Sequence, residues 1–168
     1  MAETSVEVLN RYVQDAIAAE KTFETQLHAF AGQASDPSVK QLFDLHARET
    51  RTQYERLSAR LGSQGESPSG VRSLLAHILG WSTRPSHAGL DEQERTAQNL
   101  ITAFAVENSE LAMYEALANM AEAAGDNDMA SLARSIQTEE KAAAEKIWRL
   151  LPTAALGEQA RGTSELGR

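Results

Sequence analysis

Apolar residues return every three or four positions over four long stretches of the chain, which is the period of an amphipathic helix. In the first, over about residues 5–31, Val6, Leu9, Val13 and Ile17 open a stripe that continues through Glu20 and Phe23 to Leu27 and Phe30. Thr4 and Glu7 have capping-box spacing at its start, and Gly32 supplies a stop signal. The second stretch begins at Asp36 and Pro37, an N-cap followed by a proline at the first helical position, and is expected to end before Gly62. Val39, Leu42, Leu57 and Leu61 mark its core face, and His46, Glu49 and Gln53 fill the positions between them. The third is announced by Asp91 with Glu94 three residues on. It carries Leu100, Phe104, Leu111 and Leu117 inward, with Glu107, Glu110 and Tyr114 on the same face, and stops at Gly125. The fourth starts near Asp126 or Asn127, and its seam reads Met129, Ala133, Ile136, Glu140, Ala143, Ile147 and Leu150 until Pro152, which is expected to end it.

The connections separate two hairpins. About four residues link the first two helices, and a similarly tight turn at Gly125 links the last two, so each pair is antiparallel. Between the pairs, residues 63–90 break the period: SQGESPSG and STRPSHAG are linker-like and flank VRSLLAHILGW, which has the pattern of a short amphipathic helix. Two hairpins joined by one long crossover define an all-α, ferritin-like four-helix bundle, whereas up-down bundles with three short loops lack such a crossover. One domain over residues 1–152 follows, with a mobile C-terminal tail over residues 153–168. Helical register places the seam glutamates at one height. Glu20 lies 14 residues before the first turn at Ala34 and Glu49 lies 15 after it; Glu110 lies 15 before Gly125 and Glu140 lies 14 after Asp126, with Glu107 one helical turn farther away.

Composition narrows the chemistry. Among 168 residues, 42% are hydrophobic, which is enough apolar material for a sizeable core. Cysteine is absent, so any metal must be held by oxygen or imidazole ligands. A net charge of -8 and the lack of a Lys/Arg-rich run argue against a nucleic-acid surface. The start, MAETSVEVLN, has no secretory pattern, and no stretch approaches a membrane span, so a cytoplasmic location without a membrane partner is expected. Glycine-rich phosphate loops, GxSxG elbows and HExxH helices are also absent.

Carboxylates clustered in an apolar seam cannot stay ionised without compensating cations or strong donors. No Lys or Arg occupies those seam positions. Two divalent cations would balance Glu20, Glu49, Glu140 and one of Glu107 or Glu110, and bridging carboxylates would hold the metals close enough to share an oxidant. A single seam glutamate more often reaches the rim and is solvated; several at one level make that reading harder to sustain. His46, one turn before Glu49, has two readings, as a metal ligand or hydrogen-bonding partner of a ligating carboxylate and as a satisfied core histidine. Tyr114, one turn from Glu110, has the spacing to donate a hydrogen bond to a carboxylate, but an aromatic at helical spacing reads first as core. His28 lies too far along the axis from Glu20 to share its metal, and His77, His87 and Trp81 in the crossover have no ligand spacing.

Over about residues 9–151 the chain resembles the YciE/YciF group of ferritin-like bacterial proteins, through DAIAAEKTFETQL, LFDLHARETRTQYERL, AVENSELAMYEAL and QTEEKAAAEKIWRLL. The resemblance implies a small helical protein, often a homodimer, linked with stress responses and bearing a di-iron site. Glu20, Glu49, Glu107 and Glu140 match the acidic residues of those motifs, Glu110 a second acid of the third helix, and His46 the histidine before Glu49. Iron, with manganese as the other candidate, is the implied cofactor, and ferroxidase or peroxide-consuming chemistry the implied activity. The general di-iron pattern also pairs a glutamate with a histidine three residues later on two helices. Here Thr52 follows Glu49 and Ala143 follows Glu140 at that spacing, and Ala144 stands where relatives commonly have an acid. A non-catalytic bundle with a degenerate site, acting in interaction or stress, is therefore the competing class.

Overall fold

The computed structural model describes residues 4–63, 65 and 90–156. These residues form four helices: α1 (Ser5–Gln33), α2 (Pro37–Ser63), α3 (Glu92–Ala123) and α4 (Asn127–Leu156). Both capping boxes form. Thr4 and Asp91 each accept from the backbone N–H of the residue three positions on, while Glu7 and Glu94 reach back to the cap N–H groups. The turn after α3 needs its glycine: Gly125 has φ +77°, and the backbone bonds Asp126 N to Ala121 O and Gly125 N to Glu122 O close the helix end. Asp126 then caps α4 by accepting from Met129 N at 3.0 Å, and Arg60 of α2 donates to its carboxylate at 2.5 Å.

Boundaries differ from the sequence expectation in three places. α1 runs two residues past Ala31, and α2 includes Gly62, since a glycine near a helix end costs too little to stop it. Pro152 lies inside α4 and does not end it. A proline removes one backbone donor, here the one that would reach the Trp148 carbonyl. Leu151 and Ala154 pack against the core on either side of it, so the helix continues. Val6, expected inside, is exposed, because the core layer at that end finishes with Leu9, Leu61 and Met129. The short crossover helix, His77, Trp81, His87 and the tail beyond Leu156 lie outside the described residues.

Two apolar clusters give the topology. One joins Leu9, Val13 and Ile17 with Leu57 and Leu61, Leu117 and Ala121, and Met129, Ala133 and Ile136. The other joins Phe23, Leu27 and Phe30 with Val39 and Phe43, Leu100, Ala103 and Val106, and Ile147. Passing from the first cluster to the second, residue numbers rise along α1 and α4 and fall along α2 and α3. Each hairpin is thus antiparallel, as are α1 against α3 and α2 against α4. Ser63 and Glu92 stand at opposite ends of the bundle, which is the long-crossover connectivity. Full burial of each large apolar side chain in these clusters contributes roughly 1.5–3 kcal/mol, and the clusters leave one polar layer between them.

Candidate metal centre

That layer begins where the stripe of α1 passes from Ile17 to Phe23 through Glu20, which is fully buried. α3 supplies Glu107 and Glu110 between Val106 and Tyr114, and α4 supplies Glu140 between Ile136 and Ala143; all three carboxylates are buried. α2 supplies His46, 3% exposed, whose ring meets the edge of Phe23 at 5.5 Å between centroids. Three helices therefore contribute carboxylates to the buried layer, and the second contributes an imidazole.

Ligand atoms converge in two overlapping groups: His46, Glu107 and Glu140 form one, and Glu20, Glu110 and Glu140 the other, with the donor atoms of each group all within 4.8 Å of one another. Glu140 belongs to both. The sequence left Glu107 and Glu110 as alternatives; both are brought in, one to each group. His28 belongs to neither group, its ring being exposed and beside Glu24.

Few of these groups are satisfied by their neighbours. Tyr114 donates its hydroxyl proton to Glu20 Oε1, and His46 Nε2 is hydrogen-bonded to Glu107 Oε1. Six buried carboxylate oxygens of the layer have no hydrogen-bond partner among the described residues: Oε2 of Glu20, Oε2 of Glu107, and both oxygens of Glu110 and Glu140. Burial, the largest influence, pushes Glu20 up to about 8 despite the opposing Tyr114 bond, with the neighbouring Glu107 charge adding to the rise. Glu110 and Glu140 are likewise raised well above the ordinary carboxylate range by burial and then by the surrounding glutamates. For His46, burial opposes the charged form, but Glu107 and Glu49 outweigh it and carry the imidazole up to about 9.

Glu49 stands apart from the layer. Its side chain is 45% exposed, with one oxygen 3.5 Å from His46 Nδ1 and the other accepting from Lys146 Nζ at 3.2 Å. The imidazole, then Lys146, hold its carboxyl down to about 2. Three residues beyond His46, Glu49 sits at the edge of the α2 inner face, where an α4 lysine can meet it. Expecting α2 to place a carboxylate in the core gave the right helix face and the wrong depth.

The α2–α4 flank holds further polar residues that seam reading passed over. Arg56 grips Glu139 through both terminal nitrogens at 2.8–2.9 Å, and buried Gln53 also donates to Glu139. Between α1 and α2, buried Glu24 accepts from Arg51 at 2.8 Å. Lys146 follows Glu140 by six residues and neighbours the core residue Ile147, the spacing that marks a flanking position. That spacing was the available signal. Both sequence readings of Tyr114 hold, since the ring is fully buried and its hydroxyl donates to a carboxylate, that of Glu20.

A four-helix bundle with this connectivity and a layer of carboxylates and one imidazole at mid-height is a ferritin-like bundle with a candidate metal centre. The chain belongs to the family described as a domain of unknown function (DUF892), whose pattern matches residues 4–160. Protein YciF of Escherichia coli K12 is 28% identical over 144 residues, covering 83% of this chain and 86% of YciF. The crystal structure of that E. coli stress protein superposes with a TM-score of 0.79 at 25% identity, covering 91% of this chain and 98% of YciF. YcfI of Rhodopseudomonas palustris, a candidate structural protein, gives a TM-score of 0.79 at 28% identity over 86% of this chain and 93% of YcfI. A ferritin-like, diiron-carboxylate protein of Bacillus anthracis shares the fold, with a TM-score of 0.71 at 15% identity over 89% of this chain and 99% of that one. Among the described residues, no helix is long and apolar enough to cross a membrane.

Proposed function

We propose that the protein is a di-metal carboxylate protein, with iron as the first candidate and manganese as the second, serving a ferroxidase or peroxide-consuming role in a stress response. The observation that supports this most is the set of six buried, unpartnered carboxylate oxygens. Leaving such groups without donors costs about 1–3 kcal/mol each, more if charged, and divalent cations between them remove that cost while balancing four carboxylates. The donor set suits hard or borderline metals. Glu140 would bridge the two positions, Glu20 and Glu110 would complete one and His46 with Glu107 the other. One position thus has a nitrogen donor and its neighbour only oxygens.

A bound pair of redox metals would supply electrons to dioxygen or peroxide. The chain's own part is positional: the apolar clusters above and below exclude water, Tyr114 fixes one Glu20 oxygen, and His46 links the layer to the α2–α4 flank. The reading includes a cytoplasmic location and a homodimeric state, which are expectations from the sequence. Thermal denaturation tests the metal reading. Anaerobic Mn2+ at a hundredfold excess over Kd should stabilise the native state by about 2.7 kcal/mol, raising Tm by about 5–10 °C. A Glu20→Gln/Glu140→Gln variant should show no metal-dependent rise.

A second reading is a non-catalytic bundle with a vestigial site. It is favoured by the absence of a histidine three residues after Glu49 or Glu140, where Thr52 and Ala143 stand, and by the likeness to YcfI. It predicts the same Tm with and without metal for both proteins.

A further inference from the structure

The buried layer is not closed equally on all sides. Between α2 and α4 lies a cleft of about 90 Å³, lined by Leu42, Leu45, His46, Glu49, Lys146 and Ile147, with Ala143 at its inner edge. His46 forms its floor: the ring is 3% exposed, Nε2 faces the buried Glu107, and Nδ1 on the outward side has no hydrogen-bond partner among the described residues. Glu49 and Lys146, 45% and 50% exposed and paired at 3.2 Å, stand on the solvent side of that nitrogen. The remaining walls are apolar or carry only a methyl group. With the pair closed, the Glu49–Lys146 contact stands across the solvent side of this narrow cleft.

We propose that this cleft is the path by which divalent cations reach the centre, and that Lys146 is its gate, its ammonium occupying the position at Glu49 that an arriving cation must take. Opening the pair frees the Glu49 carboxylate, which makes a two-donor transit site at the mouth with His46 Nδ1 once the arriving cation has displaced the Nδ1 proton to solvent. The cation replaces the ammonium there, sheds water against two protein donors, and passes the imidazole to the carboxylates behind it. Lys146 holds no metal itself and sets the rate of loading, not the capacity. A positive charge at the mouth of a narrow cleft repels a cation most strongly where solvent screens least. This inference rests on the di-metal reading.

The test is stopped-flow mixing of the full-length, metal-free protein with Mn2+, free Mn2+ being followed by a fluorescent chelating indicator, with bound Mn2+ measured separately at equilibrium. Lys146→Met, which keeps the apolar stem, should load about tenfold faster than wild type with the same number of Mn2+ ions bound. Lys146→Arg should load at close to the wild-type rate, and so should Lys141→Met, which removes an exposed α4 charge outside the cleft. Equal rates for wild type and Lys146→Met, or an equal acceleration in Lys141→Met, would overturn the gate while leaving the centre intact. Absence of Mn2+ binding by wild type at equilibrium would instead defeat the di-metal reading and the gate with it.

Discussion

The α1–α3 side of the buried layer and the α2–α4 side are built from similar residues and behave differently. On the first, Glu20 and Glu110 are fully buried and Tyr114, itself fully buried, is the hydrogen-bond donor that reaches Glu20. On the second, His46 has the half-exposed Glu49–Lys146 pair on its solvent side, and the partly exposed Arg56–Glu139 pair joins the same two helices farther along. One layer can thus be strained and ventilated at once. The α1–α3 wall keeps carboxylates where only protons or cations can satisfy them, and the α2–α4 wall supplies a polar way in.

The largest expected effect is on the pH dependence of the metal-free protein, where the buried groups of both walls act together and the half-exposed Glu49 acts against them. Glu20 is raised to about 8 and His46 to about 9, so from about pH 4.5 to 9 the folded state binds more protons than the unfolded chain and stability falls as pH rises. For Glu20 alone the loss between its unfolded and folded values is on the order of 5 kcal/mol. The stabilising contribution of His46 is complete below its unfolded pKa and disappears as pH rises through 9. Glu49, held at about 2, acts on the other limb: its contribution is present above its unfolded value and is lost as pH falls through 2. Urea denaturation across this range should give a maximum near pH 5. A maximum at neutral pH without metal would mean that the sealed carboxylates are compensated in some other way.

Next in size is the closed wall's tyrosine. Tyr114→Ala removes a fully buried ring and should cost about 3–5 kcal/mol, as for other buried aromatics. Tyr114→Phe keeps the ring and takes away only the donor to Glu20, so about 1–3 kcal/mol is expected. Calorimetry on both variants separates packing from hydrogen bonding, and a Tyr114→Phe protein as stable as wild type would show that Glu20 does not depend on this bond.

The smallest effect is predicted on the open wall. Lys146→Met should change stability by no more than about 0.5 kcal/mol, because the pair is half-exposed and screened. A loss comparable to that of Tyr114→Phe would mean that the two walls are not different in kind.

The same contrast explains what could be read from the sequence. The four helices and the depth of Glu20, Glu107, Glu110 and Glu140 follow from a period of 3.6, which assigns a residue to a face, and both capping boxes follow from an acid three residues after Thr4 and Asp91. The period is a weak guide at the edge of a face, where a neighbouring helix decides the outcome. Glu49 lies at such an edge and turns outward to Lys146. Val6 lies on the right face but beyond the last core layer, and Pro152 is carried by packing of Leu151 and Ala154 on either side. The bidentate Arg56–Glu139 pair joins residues 83 positions apart, and no local pattern in either helix announces the other.

Metal content tests most directly whether the sealed layer holds two metals, the claim on which the rest depends. Wild type and the Glu20→Gln/Glu140→Gln variant would be reconstituted anaerobically with ferrous iron, freed of excess and measured by mass spectrometry. About two irons per wild-type chain, with the variant losing them, is the predicted result. No bound iron in wild type, and none when manganese is used instead, would contradict the claim and leave the bundle as a structural or interaction module.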